Sequence, residues 1–486
     1  MLMGAETAAA RRRLRRRGPD LAARPRPAED PGTDGLPQID HIVILMMENH
    51  SYDNYLGMLT GRGDGFTLGP GGKPAETNPS GNGTRVGLRH LASTVQVKHV
   101  PTQSWAASHL QYASGACDGF VTSLGILDPG LDQTAAMGYW TKRELPFYYD
   151  LARTFPLATR WFCSCLGPTF PNRRFLIAGT ANGLIDDLPF GMTDYPARGT
   201  IFDLLTAHKI TWTNYHLISP VRIGWRRLSH ARGLGFLRPL GGVIAALLPG
   251  TAGRMLAKLQ VTADLYPLGL LRSVNHVKPV KHFLQRAGAG TLPSVSIVDP
   301  DFSHCSEENP QDIQAGESFA AEIINAVMSG PGWPKTLLIW LYDEHGGYYD
   351  HVPPPGAAEP DDVRAVGSFD RFWILRQFAR TSLGRRVTRD DDGPDTYARL
   401  GFRVPAVIVS PYAKQDYVSD QVFDHTSVLK LIEHKWNLPP LTRRDAEAAA
   451  PLDLLDLAGE PSYLDPPELA RPARPGFWRY WEPPGA

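Results

Sequence analysis

An α/β domain, with a mostly parallel sheet flanked by helices, is the fold class that this sequence predicts. Three observations carry the prediction. Two continuous apolar runs, residues 41–47 and 337–342, end at turn signals, as strands buried on both faces do. Strand-like and helix-like segments alternate along most of the chain. The 486 residues are 42% hydrophobic and 21% charged, a globular composition with enough length for one large core.

The elements follow in order. Residues 1–37 are rich in Arg, Ala, Pro and Asp, carry an arginine run at 11–17, and are expected to form a disordered basic, Pro-rich arm. No apolar stretch follows that run, so no export signal is expected there, which points to the cytoplasm or a membrane surface. A single domain is expected over residues 38–486. It opens with the strand at 41–47 and a polar, glycine-rich loop at 61–84. A helix is expected at 145–153. The turn Gly167-Pro168-Thr169-Phe170-Pro171-Asn172-Arg173 leads into another. Then come helix 200–208, strand 211–216, strand 292–299, helix 313–328, strand 337–342, strand 402–410 and helix 425–436. From about residue 437 a Pro-rich tail with Trp478 and Trp481 is expected to pack back on the domain.

Residues 220–290 differ from the rest. Arg and Lys there face the single acid Asp264, and the apolar run at 240–248 ends at Pro249. Two readings fit this basic-apolar helical insertion: a helix pair lying on an anionic membrane surface, or an insertion whose apolar face packs on the main domain. No run is long enough to cross a bilayer. The 50 basic and 50 acidic residues cancel, so nucleic acid is not an expected partner. Cys117, Cys163, Cys165 and Cys305 form no CxxC pair and are expected to be buried free thiols, with Cys163 and Cys165 on one face of a strand.

The chemistry is expected at strand ends. Glu48-Asn49 and Asp343-Glu344 follow the two apolar runs, and ligands of open α/β sheets sit beyond the carboxyl ends of the strands. Their hard oxygens suit Ca²⁺, Mg²⁺ or Mn²⁺, with Zn²⁺ as the alternative. Thr169 is placed by its prolines at or just before a helix N-terminus, where free N–H groups favour an anion. A threonine hydroxyl at such a point is either an ordinary cap or a nucleophile that needs activation. His109, His345 and His351 lie near polar, glycine-containing turns and are candidates for proton donation or for holding a phosphoryl oxygen. Asp424-His425-Thr426-Ser427 opens a helix and reads as a cap with a buried histidine.

Seven stretches together resemble the bacterial and plant phosphoesterase family that contains non-specific phospholipases C and a group of acid phosphatases. They are IDHIVILMMENHSYDNYLG, SWAASHLQYASGACDGF, MGYWTKRELPFYYDLA, FCSCLGPTFPNRRFLIAGT, YDEHGGYYDHVPPP, RVPAVIVSPYA and DHTSVLKLIEHKW, in the family's order. The resemblance implies an alkaline-phosphatase-like fold. It implies a divalent metal held by Glu48, Asn49, Asp343 and Glu344, with Thr169 as nucleophile and further ligand. By the same resemblance a phosphothreonine intermediate forms and water hydrolyses it. Thr169, His109 and His351 are the expected catalytic residues; Gln103, Asn172, His304 and His345 are the expected phosphate contacts. Two positions depart from the family pattern. Gln103 stands where a histidine is usual, and the stretch from Ser303 to Pro310 replaces a His-Pro motif, leaving His304 and Glu308 as alternatives for its role. The expected activity is a phospholipase C-like hydrolysis of phospholipid, with peripheral membrane contact through residues 220–290. A soluble acid phosphatase acting on small phosphate esters, or a membrane-associated binding protein with a decayed site, are the alternatives. Many relatives are exported, so an exported protein is the alternative to a cytoplasmic one.

Overall fold

The computed structural model describes residues 23–97, 101–127, 134–187, 195–216, 262–266, 272–273, 275–367 and 393–476. Eight strands form the main sheet: β1 (His41–Met47), β2 (Leu157–Ala158), β3 (Trp212–His216), β4 (Val277–Pro279), β5 (Val295–Asp299), β6 (Thr336–Tyr342), β7 (Ala406–Val409) and β8 (Val418–Ser419). Their spatial order is β8-β2-β7-β6-β1-β5-β3-β4. Only β7 runs against the rest, pairing antiparallel with β6 and β2. The expected mixed α/β class and mostly parallel sheet are therefore found.

The described helices are α1 (Tyr52–Leu56), α2 (Trp105–Tyr112), α3 (Phe120–Leu127), α4 (Pro146–Thr154), α5 (Thr169–Ala178), α6 (Ile201–Ala207), α7 (Val280–Gly288), α8 (Ile313–Met328), α9 (Thr426–Trp436) and α10 (Arg443–Glu447). One packed group contains α4, α7 and α8, and another contains α5, α6, α9 and α10. With both faces of the central strands covered, every residue of β6 is buried, and so is all of β1 beyond His41. Truncating one such residue, for example Leu338→Ala, costs about 2–5 kcal/mol.

The register of β1 on β6 positions the site. The strands pair residue for residue from His41 opposite Thr336 to Met47 opposite Tyr342. Both end level, so Glu48 and Asp343 leave the sheet side by side at its carboxyl rim. β5 joins the other side of β1 and brings Asp299 to the same rim.

Four expectations need correction. Residues 23–36 dock rather than dangle: Asn437 accepts from Arg26 N at 2.8 Å, Gly32 N donates to Trp436 O, and Lys435 Nζ reaches Asp34 at 2.8 Å. The carbonyl groups at the end of α9, exposed by their helical position, are what this segment satisfies. The end of the expected insertion is part of the α/β layer, because β4 is the edge strand and α7 buries Val280, Phe283 and Ala287. Residues 217–261, including the apolar run 240–248, lie outside the described residues. Within the loop 61–84 a short strand, Thr77–Pro79, pairs antiparallel with Arg85–Gly87. Cys163 and Cys165 sit in a loop, not a strand, although all four thiols are buried and free as expected. The tail beyond 437 packs on the domain through Trp333 Nε1, which donates to Tyr463 O at 2.8 Å, and Gln38 Nε2, which donates to Leu457 O at 2.9 Å. Trp478 and Trp481 lie outside the described residues. No helix of the described residues is long and apolar enough to cross a membrane.

Candidate active site

At the rim, Asn49 adopts φ 67°, a left-handed conformation that asparagine tolerates better than most residues. The following loop of β6 folds tightly over it. Gly346, at φ 65°, leaves room for Asn49 O, and Gly347, at φ 77°, leaves room for the Thr102 backbone; a Cβ at either would collide. The two glycines of this loop are thus required by a close approach of three chain segments.

Asp343 ties the segments together. Its Oδ1 accepts from Asn49 N at 3.1 Å and Glu344 N at 2.8 Å, and its Oδ2 accepts from Arg173 Nε at 2.9 Å. Its own carbonyl accepts from His425 Nε2 at 2.6 Å. Arg173 is buried and also donates to Met46 O and Met47 O, at 3.3 and 3.1 Å, and to Asp299 at 3.4 Å. Its guanidinium lies 4.9 Å from the Phe302 ring centre.

Thr169 is the first residue of α5, as its prolines predict, and its Oγ1 donates to Asn49 Oδ1 at 3.4 Å. The turn before it is clamped by Asn172. The amide oxygen accepts from Cys165 N at 3.0 Å, and Nδ2 donates to Gly167 O and Pro168 O at 2.9 and 3.1 Å. Pro171 offers no N–H, and Phe170 N donates to Asp187 Oδ1 at 2.8 Å.

Two carboxyl oxygens at the site have no hydrogen bond: Glu48 Oε2 and Glu344 Oε1, both fully buried. Burial, then the charges of Glu308 and Asp343, push the Glu48 carboxyl well up, against the pull of Arg173 and Ser306. Burial and Asp343 push Glu344 up in the same way, with Asp187 and Glu48 adding to it and the Gly346 N–H opposing. Asp187 rises to about 8, chiefly through burial, with Asp186, Glu308 and Asp343 contributing and the Phe170 N–H opposing. Among the described residues no three His, Cys, Asp or Glu side chains stand together as a metal cluster. The oxygen set here draws on an amide and a hydroxyl as well, and Asp343 already accepts three N–H donors. Hard oxygens, two of them orphaned in a crowd of carboxyls, fit a divalent cation.

The structure therefore brings Glu48, Asn49, Thr169, Asp343 and Glu344 to one place. The other candidates scatter. His345 is buried beside them, but its Nε2 meets Gln111 Oε1 at 2.7 Å, and burial lowers it to about 3. His109 Nδ1 donates to Trp105 O at 2.8 Å, one turn back on α2, and burial lowers its pKa. Asn172 spends its amide on the Thr169 turn, which makes it a positioning residue. Gln103 accepts from Ser108 Oγ through its backbone carbonyl. His304 Nδ1 pairs with Asp301 at 3.0 Å on a half-exposed loop. His351 belongs to a second ion network. Its Nδ1 donates to Asp53 at 2.7 Å, while the buried Arg403 binds Asp350, Asp53 and Asp64 at 2.8, 3.1 and 3.2 Å.

Sequence reasoning did not single out Arg173, Asp187, Asp299 or Glu307. Arg173 had a signal, because it lies one turn after Thr169 on the same helix face. Glu307 had none. It sits buried at φ 79° and accepts from the hydroxyls of Tyr55, Tyr148 and Tyr342 at 2.7, 2.6 and 2.5 Å, directly after Ser306, whose carbonyl accepts from Glu48 N. His425 is the buried histidine expected at its helix, with Asp424 Oδ1 accepting from Thr426 N at 3.1 Å.

Comparison with known proteins identifies the family. The model of the Phosphoesterase family matches residues 39–439. Phospholipase C B of Mycobacterium tuberculosis is 30% identical over 470 residues, which cover 90% of this chain and 80% of that protein. Phospholipase C A of the same organism is 28% identical over 426 residues, 83% of this chain and 74% of the relative. Non-specific phospholipase C6 of Arabidopsis thaliana is 26% identical over 433 residues, 85% and 71% of the two chains. The chain thus belongs to the Phosphoesterase family and is a phosphoric ester hydrolase.

Proposed function

We propose that this hydrolase is a phospholipase C-like phosphodiesterase, dependent on a divalent cation, with Thr169 as its nucleophile. The observation that carries the reading is the Thr169 hydroxyl, at the head of α5, donating to Asn49 at the rim where Glu48 and Glu344 each leave one buried carboxyl oxygen without a hydrogen bond. The phospholipases C among its relatives support phospholipid as the substrate class. Peripheral contact with the bilayer through the part of residues 220–290 that precedes β4 belongs to the same proposal.

Glu48, Glu344, Asn49 and Thr169 would hold the cation, with the remaining lone pair of Asp343 beside them. A bound cation supplies charge that lowers the pKa of a neighbouring hydroxyl and offsets phosphoryl oxygens. Asn49 fixes the direction of the Thr169 hydroxyl, and Asn172 fixes the turn that presents it. The Thr169 Oγ–phosphorus bond forms as the bond from phosphorus to the diacylglycerol oxygen breaks, and diacylglycerol departs with a proton. The intermediate is a threonine-linked phosphoryl ester that carries the head group. Water then takes the place of Thr169 at phosphorus, releasing the phosphorylated head group and restoring the hydroxyl.

The test compares p-nitrophenylphosphorylcholine, p-nitrophenyl phosphate and phosphatidylcholine in mixed micelles, with and without chelator, on wild type and Thr169→Ala. Chelator-sensitive cleavage of both diesters that disappears in Thr169→Ala is the expected result. Cleavage of the monoester alone would move the reading to a soluble phosphatase. No turnover with any divalent ion would favour a binding protein.

A further inference from the structure

A helix N-terminus beside a nucleophile is where the phosphoryl oxygens of a substrate are held. Beyond the amide of Thr169 itself, that capacity is small at the head of α5. Pro171 has no N–H, Asn172 N is already bonded to Pro168 O at 3.5 Å, and Phe170 N is taken by the Asp187 carboxyl at 2.8 Å. The guanidinium of Arg173, one turn along α5, is spent on Asp343, Asp299 and two carbonyls. Negative charge gathers here: Glu308 and Asp343 act on Glu48, Asp343, Asp187 and Glu48 act on Glu344, and Glu308 and Asp343 act on Asp187. At this helix head the Phe170 amide is thus occupied by a carboxyl.

We propose that Asp187 is a specificity-determining residue: by holding the Phe170 amide and placing its carboxyl beside Thr169, it favours monoanionic phosphodiesters over dianionic phosphomonoesters. A diester has only two non-bridging oxygens to place and carries one negative charge. A monoester brings a third oxygen, whose natural partner is occupied, and a second charge, which meets a carboxyl. Asp187 Oδ1 holds Phe170 N at 2.8 Å, and this contact carries the preference. This assignment rests on the Thr169 reading above.

The experiment measures kcat/KM for p-nitrophenylphosphorylcholine and p-nitrophenyl phosphate at pH 9, together with inhibition by inorganic phosphate. Wild type, Asp187→Asn, Asp187→Ala and Thr169→Ala are compared with saturating divalent ion, and thermal unfolding checks each variant. The diester-to-monoester ratio is expected to fall at least about tenfold in Asp187→Ala, which frees the Phe170 amide, and by less in Asp187→Asn, whose Oδ1 can still accept from it. That is the size of one charge-assisted hydrogen bond to a phosphoryl oxygen. Inhibition by inorganic phosphate should tighten in parallel, a change that general damage to the fold would not produce. A ratio within twofold of wild type in variants that unfold like wild type, while Thr169→Ala is inactive, overturns the role of Asp187 alone. Wild-type turnover in Thr169→Ala overturns the reading of the site, and the Asp187 role with it.

Discussion

Replacing Arg173 by methionine removes a cation that ties β1, β5, β6 and α5 together at the site. The side chain is 1% exposed, and its partners Asp343 and Asp299 are fully buried. Methionine has similar length and packs against Phe302, so the volume is kept while the charge is lost. Two buried carboxylates then lose their counter-ion, and the carbonyls of Met46 and Met47 lose a donor. Breaking a buried pair from one side costs about 3–5 kcal/mol, against less than about 1 kcal/mol for an exposed pair. Lys335→Met, which breaks the exposed pair with Asp40 at 3.2 Å, is the matched control. Urea unfolding followed by circular dichroism should show a large drop in midpoint for Arg173→Met and almost none for Lys335→Met. Arg173→Lys should fall between them, since a single ammonium cannot serve Asp343, Asp299 and two carbonyls at once. Because Asp343 holds Asn49 N and Glu344 N, kcat/KM of Arg173→Met should also fall at least about tenfold. Equal midpoints for Arg173→Met and the Lys335→Met control would refute the claim that this ion pair organises the site.

His351 sets a pH-dependent contribution to stability. Burial alone would lower its pKa, but the hydrogen bond and charge of Asp53 and the charge of Asp350 raise it to about 9 from 6.5. The folded protein then holds a proton that the unfolded chain releases, so this stability is full below pH 6.5 and fades as pH rises through 9. In His351→Gln the unfolding free energy should vary less with pH over that window; an unchanged slope in urea titrations would contradict it. Asn172→Ala frees Cys165 N and Gly167 O in a buried turn, and is expected to lower stability by about 1–3 kcal/mol. Its kcat should fall more than its KM rises, because the nucleophile is displaced while the rest of the pocket stays; a KM effect alone would speak against a positioning role.

Much of the fold was legible because buried parallel strands announce themselves. The runs at 41–47 and 337–342 are apolar without alternation, and both are strands at those places, paired level. The helix Ile313–Met328 has the expected bounds because Asp312 caps it and its apolar spacing is regular. The arm was misread over residues 23–36 because polar, Pro-rich sequence gives no sign of docking that runs through backbone and side-chain hydrogen bonds to the end of α9. At the end of the insertion α7 packs its apolar face on the domain, as one of the two readings held, but Lys278 and Lys281 obscured the edge strand and the bounds of that helix. At the site, dyads at strand ends located Glu48, Asn49, Asp343 and Glu344, and the two prolines located Thr169. The histidines were a weaker guide. A histidine near a glycine turn has no fixed direction in sequence: His109 Nδ1 points into its own helix at Trp105 O, and His351 Nδ1 into the distant Asp53. Asp187 and Glu307 belong to no local pattern; tertiary contacts alone bring them to the head of α5 and the back of Glu48.

The most direct test of the account is to trap the covalent step. Wild-type protein with divalent ion would be mixed with p-nitrophenylphosphorylcholine, quenched in acid within the first turnover, digested and analysed by mass spectrometry. The account predicts phosphorylcholine on the peptide that contains Thr169, and none in Thr169→Ala. A burst of p-nitrophenol without that adduct, or an adduct on another residue, would contradict it.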